Sequence, residues 1–310
     1  LAENIIGEIT SASSAIEIID NYGSWSAVYP NAISSSGSSG NSFVISAAED
    51  VIPGTVAHLI LNVETSDGYS NSSIIPIQVG IPTVTDPFGP DSYGYYIYDS
   101  GDLGYNLAPI YDWMEIDQDF GGDGINLDLY DSGDGNNISN SSAIVDLPFP
   151  FTFYGIEYNS ITVNTNGWIA FGESSLESFR NYPVPGAGGP SPMLACFWDD
   201  LKTTGNAEIY KYIGENFVVI QWSEMRTYNN NSVETFQVIL YDNTNLTPTG
   251  DNEILIQYKE FNNTSEGYYP VGNYDGAVVH GQYSTIGLEN SYGDIGIEYT
   301  FNNEYPVAAS

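Results

Sequence analysis

The chain has 310 residues, 42% of them hydrophobic, with one cysteine and 40 acidic against five basic residues, for a formal charge of −35. It is long enough for two domains with cores of their own. It cannot form an intrachain disulfide, it offers no basic surface for nucleic acid or anionic membranes, and it has no run of about 18 apolar residues that would span a bilayer as a helix.

All five cations, Arg180, Lys202, Lys211, Arg226 and Lys259, lie between 180 and 259, so the first 179 residues carry carboxylates without a side-chain cation. High salt or divalent cations would screen such a surface, which fits a marine or extracellular setting. Leu1-Ala-Glu-Asn reads as the interior of a longer precursor. Residues 1–80 hold short alternating runs, Ala15–Ile19 and Val56–Val63, between Gly, Ser and Asn clusters, and close on Ser73–Gly80. That spacing predicts an immunoglobulin-like sandwich. A Pro-bearing linker, 81–90, follows.

From 91 to 142 the chain is rich in Tyr, Gly and Asp, and period-2 strands resume at about 143 and run to 301. They include 146–155, 161–172, 196–201, 217–222, 233–241 and 253–258, with an Asn166-Gly167 turn between two of them. In the 233–241 strand, Phe236, Val238 and Leu240 share one face while Thr235, Gln237 and Ile239 take the other, as in a half-buried strand. No helical apolar stripe occurs. The predicted fold is all-β, an Ig-like sandwich over 1–80 followed by a larger jelly-roll-like or nidogen-like sandwich over 91–310.

Several motifs carry a resemblance. Asp-Pro-x-Gly-Pro-Asp-x-Tyr-Gly-Tyr at 86–95, Ala108 to Ile116, Leu-Pro-Phe-Pro-Phe at 147–151, Asn-Gly-Trp-Ile-Ala-Phe-Gly at 166–172, Phe197 to Asp200 and Tyr305 to Ala309 resemble the accessory sandwich that follows the catalytic domain of secreted bacterial gingipain-like cysteine peptidases and related cell-surface proteins. The middle motifs are similar to nidogen-like extracellular domains. Residues 1–80 resemble the Ig-like module of such proteins, short of its first strand or two. The peptidase's His and Cys motifs are absent, so no protease activity carries over. The resemblance implies an extracellular or cell-surface module.

The first candidate site is the acidic segment 117–134. Hard cations take six to eight oxygens, and Asp117, Asp119, Asp123, Asn126, Asp128, Asp131 and Asp134 supply them within one Gly-containing stretch, so calcium is the expected ligand. The spacing lacks the closing Glu of an EF-hand, and a solvated turn-rich loop is the plainer reading. The Tyr run at 93–98 is the candidate carbohydrate contact, whereas Trp168 and Trp198 sit in apolar runs and read as core. Asp199 and Asp200, if on a strand, point to opposite faces and cannot flank one glycosidic bond. Cys196 reads as a buried thiol. His58 and His280 have no partner motif for a triad, and sequons such as those at Asn71, Asn137, Asn140 and Asn245 are expected by chance in an Asn-rich chain.

The expected function is a non-catalytic structural or adhesive module of a larger secreted or surface-assembled protein. The alternatives are a carbohydrate-binding module serving a hydrolase and a filament subunit joined by strand addition. A sandwich short of a strand leaves an open edge, so the expected partners are other chains, or upstream parts of the same precursor, acting through the N-terminal domain.

Overall fold

The computed structural model describes residues 1–36, 41–49, 51–133, 140–244, 247–266, 268–270, 277–279, 283–301 and 303. It contains no α-helix among them. The chain divides into two compact units, 1–86 and 87–310, and the cut falls inside the Pro-bearing segment.

Among the described residues, unit 1 has six strands: β1 (Ala2–Thr10), β2 (Ile16–Asp20), β3 (Tyr22–Val28), β4 (Val44–Ala47), β5 (Val56–Glu64) and β6 (Ser70–Gln78). Four form an antiparallel sheet in the order β3-β1-β5-β6, and β2 pairs with β4 as a separate ribbon. Alternation places Ile9, Ala57 and Leu59 on one face, where Ala15 and Ile16 join them in a small core.

Unit 2 comprises β7 (Ile125–Asn126), β8 (Ser142–Phe153), β9 (Ile156–Asn164), β10 (Trp168–Phe171), β11 (Met193–Trp198), β12 (Leu201–Lys202), β13 (Glu208–Ile213), β14 (Phe217–Thr227), β15 (Val233–Tyr241), β16 (Ile254–Glu260), β17 (Tyr268–Pro270), β18 (Ala277–Val279), β19 (Thr285–Glu289) and β20 (Gly296–Thr300). One sheet runs β20-β19-β11-β10-β9-β8, and the other β16-β15-β14-β13-β7 with β12 added on β14. The sheets form a sandwich over one apolar core. Phe151, Val163, Phe171 and Cys196 come from the first sheet, and Val218, Trp222, Phe236 and Val238 from the second. Burial pushes the Cys196 thiol pKa up, leaving an unreactive core thiol.

Both sheets are also covered on their outer faces. Over the first, Trp168 and Trp198 donate their indole N–H to the single carbonyl of Ser178, at 2.8 and 3.0 Å, and pack with Val184 and Met193. Over the second lies an extended strap, residues 112–116, which crosses three strands in turn. Gln257 on β16 receives the Asp112 N–H (2.8 Å) and donates to the Asp112 carbonyl (3.0 Å). Gln237 on β15 donates to the Met114 carbonyl at 3.1 Å, and Gln221 on β14 receives the Ile116 N–H at 3.2 Å. The three glutamines are direct partners in the β14/β15/β16 ladder. Ile116 seals a further core with Tyr210, Val219 and Ile239.

The sequence reading of β15 as half-buried is therefore corrected. Gln237 and Ile239 are buried because the strap lies over them, and the side-chain amides satisfy a backbone that no strand pairs with. Replacing Gln221 with leucine should leave the buried Ile116 N–H without an acceptor and cost unit 2 about 1–3 kcal/mol. Urea unfolding followed by tryptophan fluorescence measures this; an unchanged midpoint would show that the strap is not held by the ladder.

Candidate functional site

The acidic segment does not close on itself. Asp117 is buried, accepts the Asp119 N–H at 2.8 Å, and takes the Ser223 hydroxyl of β14 at 2.5 Å. It thus continues the strap, one residue beyond the Gln221 contact. Asp131, also buried, accepts from Thr165 Oγ1 (2.7 Å), Asn166 Nδ2 (3.4 Å) and the Gly133 N–H (2.7 Å), while burial pushes its carboxyl pKa up. It ties the segment to the β9–β10 turn of the opposite sheet. Asn126 lies on β7 and accepts the Asp128 N–H at 2.8 Å; Asp119, Asp123 and Asp128 are exposed. Asp134 lies outside the described residues, as do Asn137, Asn245, His280 and the Tyr305 to Ala309 motif. Among the described residues, no three His, Cys, Asp or Glu side chains converge to hold a metal ion.

Asp199 and Asp200 do not alternate along a strand, because β11 ends at Trp198. Both are buried, and the Asp200 N–H donates to Asp199 Oδ1 at 2.8 Å. The same turn residue that binds Asp131 organises them: Asn166 receives the Leu201 N–H on Oδ1 at 2.9 Å and the Asp199 N–H on its carbonyl at 3.4 Å. Burial, above all, pushes the Asp199 carboxyl up to about 8. Glu234 on β15 is fully buried and pushed by the same cause up to about 7. Its carboxylate clamps the following loop, accepting from the Asn262 N–H (2.7 Å), the Asn263 N–H (3.0 Å) and the Ser232 hydroxyl (2.8 Å).

In the Tyr run at 93–98, Tyr93 is 37% exposed while Tyr95, Tyr96 and Tyr98 are partly buried. Tyr93 and Tyr95 donate their hydroxyls to the buried Asp251 carboxylate at 3.2 and 2.8 Å, and Tyr154 donates to Asp91 at 2.7 Å. Asp251 also receives the Gly155 N–H. These tyrosines link the start of unit 2 to the β8–β9 turn.

Unit 1 carries a sheet edge that no described strand pairs with. β6 pairs with β5 along all nine residues, and no described strand pairs with its other edge. Its burial does not alternate: Ile74 is 69% exposed and its neighbour Ile75 38%. The strand Ser70-Asn-Ser-Ser-Ile-Ile-Pro-Ile-Gln78 carries no charge. On the cross-strand face Ile60 opposes Ile74, and both are exposed. Elsewhere in the unit, Ile9, Ile18 and Ile19 line an open recess between β1 and β2. Sequence reading found the β6 segment but missed β1, whose apolar residues Ile5, Ile6 and Ile9 do not alternate cleanly.

Against this geometry, the family model described as NIDO related matches residues 129–309, more than half of the chain, and the protein belongs to that family. The match supports the nidogen-like motifs. Membership points to an extracellular-type structural module, and no helix among the described residues is long and apolar enough to cross a membrane. No curated protein and no solved structure matches the chain.

Proposed function

We propose that the chain is a non-catalytic extracellular structural module, built into a larger assembly by strand addition at β6 of unit 1, with a second copy supplying the strand. The β6 edge carries this reading. A backbone edge with free donors and acceptors is a template for another strand, and natural proteins usually blunt it with charge. Here a chain with 40 acidic residues places none on that strand. Such a gap in the acidic surface lets two like-charged copies approach, and Ile74 and Ile75 supply apolar area for a partner to cover. Pro76 removes one donor near the C-terminal end, so the available ladder is Ser70–Ile75.

Sedimentation velocity at high ionic strength, where general repulsion is screened, tests the reading. The wild-type chain should associate as concentration rises, and Ile74→Asp, which puts like charges on both edges, should stay monomeric. Ile74 is exposed, so the change should alter the monomer's stability by only about 0.5 kcal/mol. Identical behaviour of the two proteins would refute the reading.

A further inference from the structure

The strap over the second sheet of unit 2 also has an outward side. Alternate residues of an extended segment face opposite ways, and Met114 and Ile116 turn in to the core they share with Tyr210, Val219 and Ile239, so Tyr111 and Trp113 turn out. The glutamine ladder pins the backbone beside them at 112, 114 and 116. Their rings stand 22° from parallel with centroids 6.5 Å apart, about the two-residue repeat of an extended chain. Tyr111 is 56% exposed, and Phe120, four residues past the strap, is 55% exposed. The strip already holds one cation. Lys259 on β16 places its ammonium 4.8 Å from the Phe120 ring centroid and 5.6 Å from that of Trp113, and it donates to Glu115 Oε2 at 2.6 Å, the oxygen that also receives the Trp113 indole N–H at 3.2 Å.

Acidic and aromatic residues thus interleave on one surface, with exposed Asp112 between Tyr111 and Trp113 in the chain and exposed Asp119 before Phe120. We propose that this strip docks arginine side chains of a basic segment on a partner protein. Charge complementarity selects the occupant: a chain of formal charge −35 draws in cationic partners and repels anionic ones. The ring faces then select among cations. Aromatic quadrupoles attract a positive group laid over them, as Lys259 shows within the chain, and guanidinium is the cation whose flat shape lies on a ring while its N–H groups reach a carboxylate. Tyr111 and Asp112 offer that pair of contacts at the surface. The strip belongs to unit 2 and does not depend on strand addition.

The indole N–H resonance of Trp113, identified by its loss in Trp113→Phe, tests this in the full chain at roughly 0.15 M salt. Titration with the peptide Gly-Arg-Gly-Arg-Gly should shift it to saturation, and Gly-Gln-Gly-Gln-Gly should leave it in place. Tyr111→Ala and Phe120→Ala change exposed side chains and keep the reporter, and each should weaken binding about two- to fivefold, the worth of one exposed cation–π contact. Asp112→Asn should weaken it as well, whereas Asp128→Asn, which removes an exposed carboxylate away from the strip, should not. The proposal is overturned if the wild type shows no shift, if the neutral peptide shifts the resonance equally, or if Tyr111→Ala, Phe120→Ala and Asp112→Asn all bind like the wild type, which would mean general attraction to an acidic surface. A shift produced by cellohexaose but not by the arginine peptide would equally overturn it and make the strip a carbohydrate platform.

Discussion

Gly167→Ala should be the most damaging single methyl group that can be added to unit 2, at roughly 3–5 kcal/mol. The residue has φ 75°, which an L side chain rarely adopts, and an added Cβ would stand 1.9 Å from the Phe197 carbonyl oxygen. That approach cannot relax easily. The Gly167 carbonyl accepts both the Cys196 N–H (3.0 Å) and the Phe197 N–H (2.9 Å), at the bulge where β11 shifts register against β19. Moving it would disturb the turn that binds Asp131, Asp199 and Leu201 together. Gly205→Ala is the control. Its φ is 77° but nothing lies within 4 Å of the added Cβ, so only backbone strain of about 1 kcal/mol is expected. Guanidinium unfolding of both variants gives the comparison, and equal losses would show that close approach does not matter at Gly167.

The second large effect is on pH dependence. Asp199 and Glu234 titrate at about 8 and about 7 in the folded chain, both raised chiefly by burial. Unfolded carboxyls titrate near 4, so the fold favours the protonated forms. Their stabilising contribution is fully present below about pH 4 and is lost as pH rises through 7 and 8. While only the unfolded state is ionised, the loss is about 1.4 kcal/mol per pH unit for each group. Asp199→Asn should therefore match the wild type near pH 4 and exceed its stability above pH 8. The difference between the two proteins isolates Asp199 from the general repulsion of an acidic chain. Parallel stability curves from pH 4 to 9 would mean that Asp199 is ionised throughout or satisfied by other means.

The strand content was legible because most strands bury one face or two, and burial leaves an apolar period or an apolar run in the sequence. Met193 to Trp198 is buried at every position and reads as an unbroken apolar run. The strap was not legible. Its backbone is bound by side chains rather than by a ladder, and Gln221, Gln237 and Gln257 look like ordinary solvent-facing residues until the register aligns them. The placement of the acidic segment was hidden for a related reason. Proximity in sequence suggested one loop, whereas Asp117 and Asp131 are drawn to opposite sheets by Ser223 and by Thr165. The β6 edge was half legible: the segment was visible, but its missing neighbour depends on strand order.

Amide hydrogen exchange of β6 as a function of protein concentration tests strand addition most directly, because it reports the backbone hydrogen bonds that a partner would complete. In dilute solution, the amides of Ser70–Ile75 that face away from β5 should exchange rapidly. As the chain associates they should become protected, while the outer edge of β3 keeps its rate, and Ile74→Asp should remove the protection. Rapid exchange at β6 unchanged by concentration, in a chain that nonetheless associates, would contradict strand addition at this edge.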